Sequence, residues 1–351
     1  MLTVYSDADA AKWKKAVDSF LQNDIYYSYE YVHSFKIHGD GEPLLFLYEN
    51  GGTRICYAVM KSDIADCPLF EGLIPKDKYF DLETPYGYGG PIYEGIINDD
   101  ILNDFKGEIY EYCKNNRIIS QFVRFHPLFE NWNVAKNLIE SKYLRDTIYI
   151  DTSSEDTIWT NFDTKNRNMV RKAIKSGVSI EMKSIEEYED FIPIYNSTMQ
   201  LHDADGYYIF DKEYYEYLIS MGDSAKIFYA YYEGKPVSAS IMLFSDKFMH
   251  YHLSGTYPQY RNLAASNLLL YEAAKEASRR KIKRFHLGGG LSPDDSLFGF
   301  KKQFNKNARA SFVVGRTVFD EAAYDELLRI REQKDSSFNR NNARMIAYRC
   351  P

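Results

Sequence analysis

Lys301 is the side chain of this sequence best placed to do chemistry, because it stands among aromatic residues just past a glycine turn. In the run from Lys283 to Phe304, Arg284 to Leu287 reads as a short strand. Gly288-Gly289-Gly290 lets the backbone turn sharply or approach a ligand closely, and Asp294-Asp295-Ser296 can cap a helix starting near Ser296. Leu297, Phe298, Phe300 and Phe304 supply that helix with apolar positions, which leaves Lys301 as the polar residue among them. An ammonium held there neutralises a phosphate or a developing oxyanion; the same pattern also describes a solvated lysine on an amphipathic helix. A second candidate is His126, in Arg124-Phe125-His126-Pro127, either a proton acceptor or a satisfied structural histidine. His250 and His252 share one strand and His286 stands on another, with no carboxylate or cysteine at ligand spacing, so no metal site is expected. The four cysteines, Cys56, Cys67, Cys113 and Cys350, form no CxxC pair, which argues against a zinc or redox motif and for a reducing compartment.

The formal net charge is −7, which argues against a generic nucleic-acid coat or a membrane-surface binder. Its distribution is uneven. Five basic residues and no acidic one lie between Lys165 and Lys175, and ten basic against three acidic lie between Lys275 and Arg309. Such asymmetry fits a protein that meets a polyanion at one place, and it equally fits two solvated helices. The 31 tyrosines are unusually many, and runs such as Tyr26-Tyr27 and Tyr214-Tyr215 suit rings with buried bodies and wet hydroxyls. No stretch resembles a signal peptide or a membrane span, so a cytoplasmic protein is expected, meeting any lipid-linked substrate from the inner face of the membrane.

The elements that must position these residues come in two similar sets. Residues 43–50, a Gly51-Gly52 turn and residues 53–61 read as a hairpin, followed by a strand near Tyr86 to Tyr93, a helix around Asp100 to Asn115 and a strand at Ile118 to Phe125. Residues 226–232, a Glu233-Gly234-Lys235 turn and residues 236–244 read the same way. Lys247 to Ser254, a helix around Ala264 to Arg280 and a strand at Ile282 to Leu287 follow. The repeated order predicts a duplicated mixed α/β domain with mixed sheets, divided as 1–152 and 153–318. Residues 319–351 form a C-terminal helix and tail returning to the first domain, with the tail from Asp335 frayed. Between the domains, Ile148 to Asp151 reads as a strand and Thr152 to Asp156 as a linker and cap, and Asn166 to Lys175 reads as a helix.

The run from Asn166 to Val178, the strand end from Tyr251 to Thr256, and above all Leu287-Gly288-Gly289 followed by Asp294 to Leu297, Phe300-Lys301 and Phe304 carry a resemblance over most of the chain. The sequence resembles the Fem family of aminoacyltransferases, which implies tandem domains of the Gcn5-related N-acetyltransferase type. The resemblance implies transfer of an amino acid from aminoacyl-tRNA, as co-substrate rather than cofactor, onto an amine of a peptidoglycan precursor. It puts Phe300 and Lys301 at the tRNA 3′ end, with Lys301 stabilising the charge formed when the amine attacks the ester, and His126 at the end of a strand facing the inter-domain cleft. Lys36 matches a lysine that helps hold the precursor's diphosphate, and Tyr214 and Tyr251 match tyrosines of the second domain's pocket. Two positions depart from the pattern: Phe210 stands where an arginine is expected and His126 where a carboxylate is expected. Arg279, Arg280, Lys281 and Lys302 are the basic residues assigned to tRNA.

Other functions remain compatible with these residues. Acyl-CoA-dependent N-acetyltransfer, with acetyl-CoA as donor, needs a glycine-spaced loop whose bare amides cradle a pyrophosphate. The corresponding segment, Gln259 to Asn267, keeps Arg261 but has alanines and larger side chains where glycines belong. Transfer to a protein N-terminus or a natural-product amine, and a non-catalytic RNA-binding or scaffold role, are the remaining alternatives.

Overall fold

Gly51 and Gly52 take φ of 57° and 85°, the left-handed region that a tight turn needs, and join strands Glu42–Asn50 and Thr53–Asp63 in register from Asn50 opposite Thr53 to Glu42 opposite Lys61. This hairpin anchors the first of two units in the computed structural model, which describes residues 1–350. The first unit comprises Met1–Leu144 and the chain from Phe312 onward; the second comprises Arg145–Ser311. In chain order the first holds β1 (Leu2–Tyr5), α1 (Ala10–Asp18), α2 (Tyr29–His38), β2 (Glu42–Asn50), β3 (Thr53–Asp63), β4 (Phe80–Glu83) and β5 (Ile92–Glu94). Then come α3 (Asp99–Asn115), β6 (Ile118–Arg124), a short α4 (Trp132–Ala135) and the start of β7 (Glu140–Asp151). The second unit continues with α5 (Glu155–Asn161), α6 (Thr164–Lys175), β8 (Ser179–Ser184), α7 (Phe191–Leu201), α8 (Lys212–Leu218), β9 (Ala225–Tyr232), β10 (Lys235–Phe244) and β11 (Phe248–Thr256). It closes with α9 (Ala265–Arg279), β12 (Arg284–Gly288) and α10 (Ser296–Lys302), after which β13 (Arg309–Val318) and α11 (Glu321–Lys334) lead back into the first.

Strands of the first unit follow the order β1-β2-β3-β4-β6-β13, with β5 beside β3; those of the second follow β7-β12-β11-β10-β9-β8. Each unit has one parallel pair, β4 with β6 and β11 with β12, bridged by a helix, α3 or α9. That is the crossover a parallel pair requires. In the second unit α9 turns Leu268, Leu269, Ala273 and Ala277 inward, where they meet Val170 and Ala173 of α6 and Met242, Met249 and Phe285 of the sheet in one buried cluster. The fold is mixed α/β, with the same hairpin, strand, helix and strand order in both units.

Three expectations change. The strand expected at Tyr86 to Tyr93 is mostly loop, and β4 takes its place at Phe80–Glu83. Gly87 and Gly90 adopt φ of 93° and 80° ahead of Pro91, a backbone that cannot carry a ladder. The second unit spans residues 145–311 rather than 153–318, because its limits fall inside β7 and β13, where no glycine- or serine-rich linker marks them. The tail is anchored rather than frayed: Tyr348 is fully buried, its hydroxyl donates to Asp81 at 2.8 Å, and Arg349 clasps the same carboxylate at 2.9 and 2.6 Å. Tyr348 also packs with Phe70, Ile119, Tyr324 and Leu327, so the last turn of chain completes the core beneath α11.

The tyrosines are more deeply set than their runs suggest. Tyr27 and Tyr31 are fully buried and donate to the carbonyls of Gly90 and Tyr86, pinning the glycine-rich loop that replaced the expected strand.

Candidate active site

Pairing of β11 with β12 runs from Phe248 opposite Arg284 to His250 opposite His286 and stops there. Beyond that point β11 follows β10 through a bulge, in which Met242 faces Tyr251 and Ile241 faces Leu253, while Gly288 of β12 pairs with Ile148 of β7. Two parallel strands that part at their carboxyl ends open a crevice of the kind where ligands of α/β folds bind. The Lys301 side chain enters it. Its Nζ donates to the Gly289 carbonyl at 2.7 Å, just past the end of β12, and lies 5.9 Å from the ring centre of Tyr251 on the opposite strand. Lys301 is 8% exposed, so it is not the solvated lysine of an amphipathic face. Burial pushes its ammonium down to about 8; the Asp295 carboxylate opposes that shift and Arg145 adds to it. The group is therefore charged at neutral pH, and one of its three N–H groups is spent on Gly289.

Local sequence explains how α10 presents that lysine. Asp295 caps the helix, accepting from the N–H groups of Phe298 at 2.7 Å, Ser292 at 2.9 Å and Leu291 at 2.6 Å. Burial would raise its carboxyl, and these backbone donors outweigh that and hold it below the usual range. Phe298 and Phe304 are buried in the unit's core and Phe300 packs partly against it, its ring 5.2 Å from that of Phe304. Phe300 therefore anchors the helix beside Lys301. A Cβ at Gly290 would overlap the Asp295 carboxylate, so that glycine is required where the turn meets the cap.

Tyr251 is half-buried and bonded through its hydroxyl to Ser254. Burial raises its phenol, an effect that the Ser254 and Ser240 hydroxyls offset in part. Tyr214 is 1% exposed, with its hydroxyl 2.8 Å from His252 Nε2 and its ring 4.3 Å from that of Phe210. Burial, with His250 adding to it, holds His252 down to about 3, so this imidazole stays neutral. Tyr214 thus belongs to a buried aromatic group with Phe210, Tyr215 and Tyr195.

Two residues of the first unit do not have the surroundings expected of them. His126 is fully buried, its Nε2 2.8 Å from Asp24 Oδ2, its Nδ1 accepting from the Phe129 N–H and its ring stacked on Phe129 at 4.1 Å. Both ring nitrogens are thus engaged, and the imidazole is held in place by Asp24 and by the loop after β6. Lys36, in the last turn of α2, spends its ammonium on Asp7 at 3.0 Å and Glu42 at 2.7 Å. A diphosphate would have to displace two carboxylates to reach it.

The basic residues fall into two groups. Arg279 and Arg280, at the end of α9, both pair with Glu276, and Arg280 also stacks on Phe244 at 4.4 Å. Lys281 follows in a left-handed turn with φ of 63°. Lys302 is exposed on α10, beyond the other end of β12. The four are not one patch. A better cation row lies on α6, where Asn166, Val170 and Ala173 face inward and Lys165, Arg171, Lys172 and Lys175 face solvent. Among the described residues, Lys165, Lys172 and Lys175 have no carboxylate partner. The Asp163 N–H donates to the Gln303 carbonyl at 2.9 Å, which ties the start of α6 to the end of α10 and so to Lys302. Sequence reasoning marked this basic run but assigned none of it to a site; Arg145, which shares the electrostatic environment of Lys301, carried no local signal at all.

A model of the acetyltransferase (GNAT) domain matches residues 163–302, the stretch that holds α6, the splayed strands and Lys301. Among solved structures, FemX is similar at 13% identity and TM-score 0.67, covering 90% of this chain and 98% of that one. The C-terminal domain of a proposed lysylphosphatidylglycerol synthetase from Agrobacterium fabrum is similar at 11% identity and TM-score 0.56, covering 90% and 93%. L-PGS from Bacillus licheniformis gives 11% identity and TM-score 0.50, covering 86% and 91%. No curated protein matches by sequence. The chain has the Fem-like arrangement of the acetyltransferase fold, at a level of identity that speaks to fold alone.

Proposed function

We propose that this protein is an N-acyltransferase that moves an aminoacyl group from aminoacyl-tRNA to an amine of a peptidoglycan precursor or similar cell-envelope acceptor. The observation that carries this reading is the buried, charged Lys301 at the mouth of the parted strands β11 and β12, facing Tyr251. In the reaction the acceptor amine attacks the ester carbonyl, and the carbonyl oxygen becomes an oxyanion to which Lys301 donates. The tetrahedral species collapses with loss of the tRNA 3′ oxygen, which takes up the proton released by the amine. An aminoacyl ester is already activated, so no strong base is required, and a site without one is chemically sufficient.

Two further features support this donor over acyl-CoA. At the start of α9, where a CoA pyrophosphate would need bare amides, the Ser266 hydroxyl is tied to Thr256 at 2.7 Å and Asn267 is bonded to the buried Asn166 at 2.8 Å. Side chains fill the position that glycines would leave open. The unpaired cations of α6 supply the complementary surface for a polyanion near the same helix pair. The identity of FemX and the lysylphosphatidylglycerol synthetases as structural neighbours favours an envelope acceptor.

The test is transfer of labelled amino acid from charged tRNA to cell-wall precursors, run beside acetyl-CoA as donor. Lys301→Met is expected to slow transfer by roughly 100-fold with the fold intact, and Lys172→Glu with Lys175→Glu to raise the KM for tRNA and flatten its salt dependence. Good activity from acetyl-CoA with none from aminoacyl-tRNA would replace this reading by the acetyltransferase one, and normal turnover in Lys301→Met would remove that residue from the mechanism.

A further inference from the structure

A cleft of about 340 Å³ lies within the first unit, between β4, β6 and β13 and the C-terminal segment that folds back over them. That volume is within the range of small-molecule sites. Its walls are apolar where Phe122, Val314 and Ile346 line it, and charged at its edges. The charges do not cancel. Asp81 is answered by the bidentate Arg349 and by the Tyr348 hydroxyl, and Glu83 by Arg124 at 3.5 Å. Lys142 and Arg344 are left: both are exposed, both line the cleft, and neither has an ion-pair partner among the described residues.

We infer that this cleft binds an amphiphilic anion, an apolar tail carrying a single phosphate or carboxylate, with the tail against Phe122, Val314 and Ile346 and the head held by Lys142 and Arg344. An anionic head entering the cleft would meet two cations that no carboxylate of the described chain neutralises, whereas a neutral apolar guest would leave both without a counterion. The carboxylates already present cannot serve, because each is held by its own partners. The site is built wholly from the first unit, so it stands whether or not the chain transfers aminoacyl groups.

Titration calorimetry of the full chain with octyl phosphate, 1-octanol and inorganic phosphate, each as a monomer in solution, tests it. One site is expected for octyl phosphate, at least tenfold tighter than for either fragment alone. Lys142→Ala with Arg344→Ala, two exposed changes that leave the core untouched, should weaken octyl phosphate by about tenfold and leave 1-octanol unchanged. Vesicles of a phosphatidic acid, compared in the same pair of variants, separate a lipid source from a free one: loss of vesicle binding in the double variant points to a lipid. Equal affinity for 1-octanol and octyl phosphate, or an unaltered octyl phosphate affinity in the double variant, overturns the inference.

Discussion

Lys301 carries two opposite consequences, one for activity and one for stability. Its ammonium has a value near 8 in the folded chain against 10.5 ordinarily. Activity that depends on the charged form therefore declines as pH rises through about 8, and this alkaline limb in kcat/KM should be missing in Lys301→Met and move upward in Lys301→Arg; a limb unchanged in both variants would assign it to another group. For stability the sign is reversed from that of a paired lysine. Between about 8 and 10.5 the unfolded chain binds the proton that the folded chain has lost, so stability rises with pH across this window, and below it the cost of the buried charge is felt in full. Lys301→Met should then stabilise the protein at pH 7 by about 1–3 kcal/mol, the loss of the Gly289 bond taking back part of the gain. Urea unfolding measures it, and a destabilised variant would show that the charge is not costly where it sits.

At the scale of elements, α10 was legible and its crevice was not. The cap at Asp295, the aromatic spacing of Phe298, Phe300 and Phe304, and the glycines before them are local signals, and the helix falls at Ser296–Lys302 as they require. The parting of β11 from β12 depends on which strands pair and where a bulge falls, and neither is encoded within a few residues. The same limit applies to His126, whose partner Asp24 is 102 positions away, and to Lys36, matched to a diphosphate by resemblance, one of whose two carboxylate partners, Asp7, is 29 positions away. The strand misplaced at Tyr86 to Tyr93 had a local contradiction in its glycines and Pro91, which should have outweighed its tyrosines. Because the glycine turn and the cap touch, Gly290→Ala should displace Asp295 from its backbone donors and loosen α10, costing about 1–2 kcal/mol of stability and lowering transfer more than substrate binding. Wild-type kcat in that variant would show that the turn tolerates the methyl group.

For the molecule as a whole, the decisive fact is that the first unit is made from both ends of the described chain. Arg349 and Tyr348 converge on Asp81 from more than 260 positions away, and this long-range clasp is why the polar, arginine-rich tail could not be recognised as ordered from composition. Arg349→Ala leaves Asp81 with one hydroxyl donor in place of a bidentate cation, and since the arginine is partly exposed the expected loss is about 1–3 kcal/mol, read as a lower urea midpoint for the first unit. An unchanged midpoint would mean that Tyr348 alone holds the tail. The order of synthesis follows from the same connectivity. Residues 145–311 have left the ribosome, with every strand pairing of their own available, while the sheet edge provided by β13 and the plug provided by Tyr348 are still unmade. Residues 145–311 can thus mature first, while residues 1–144 wait, with apolar surface uncovered, for the chain from Phe312 to Tyr348 to follow.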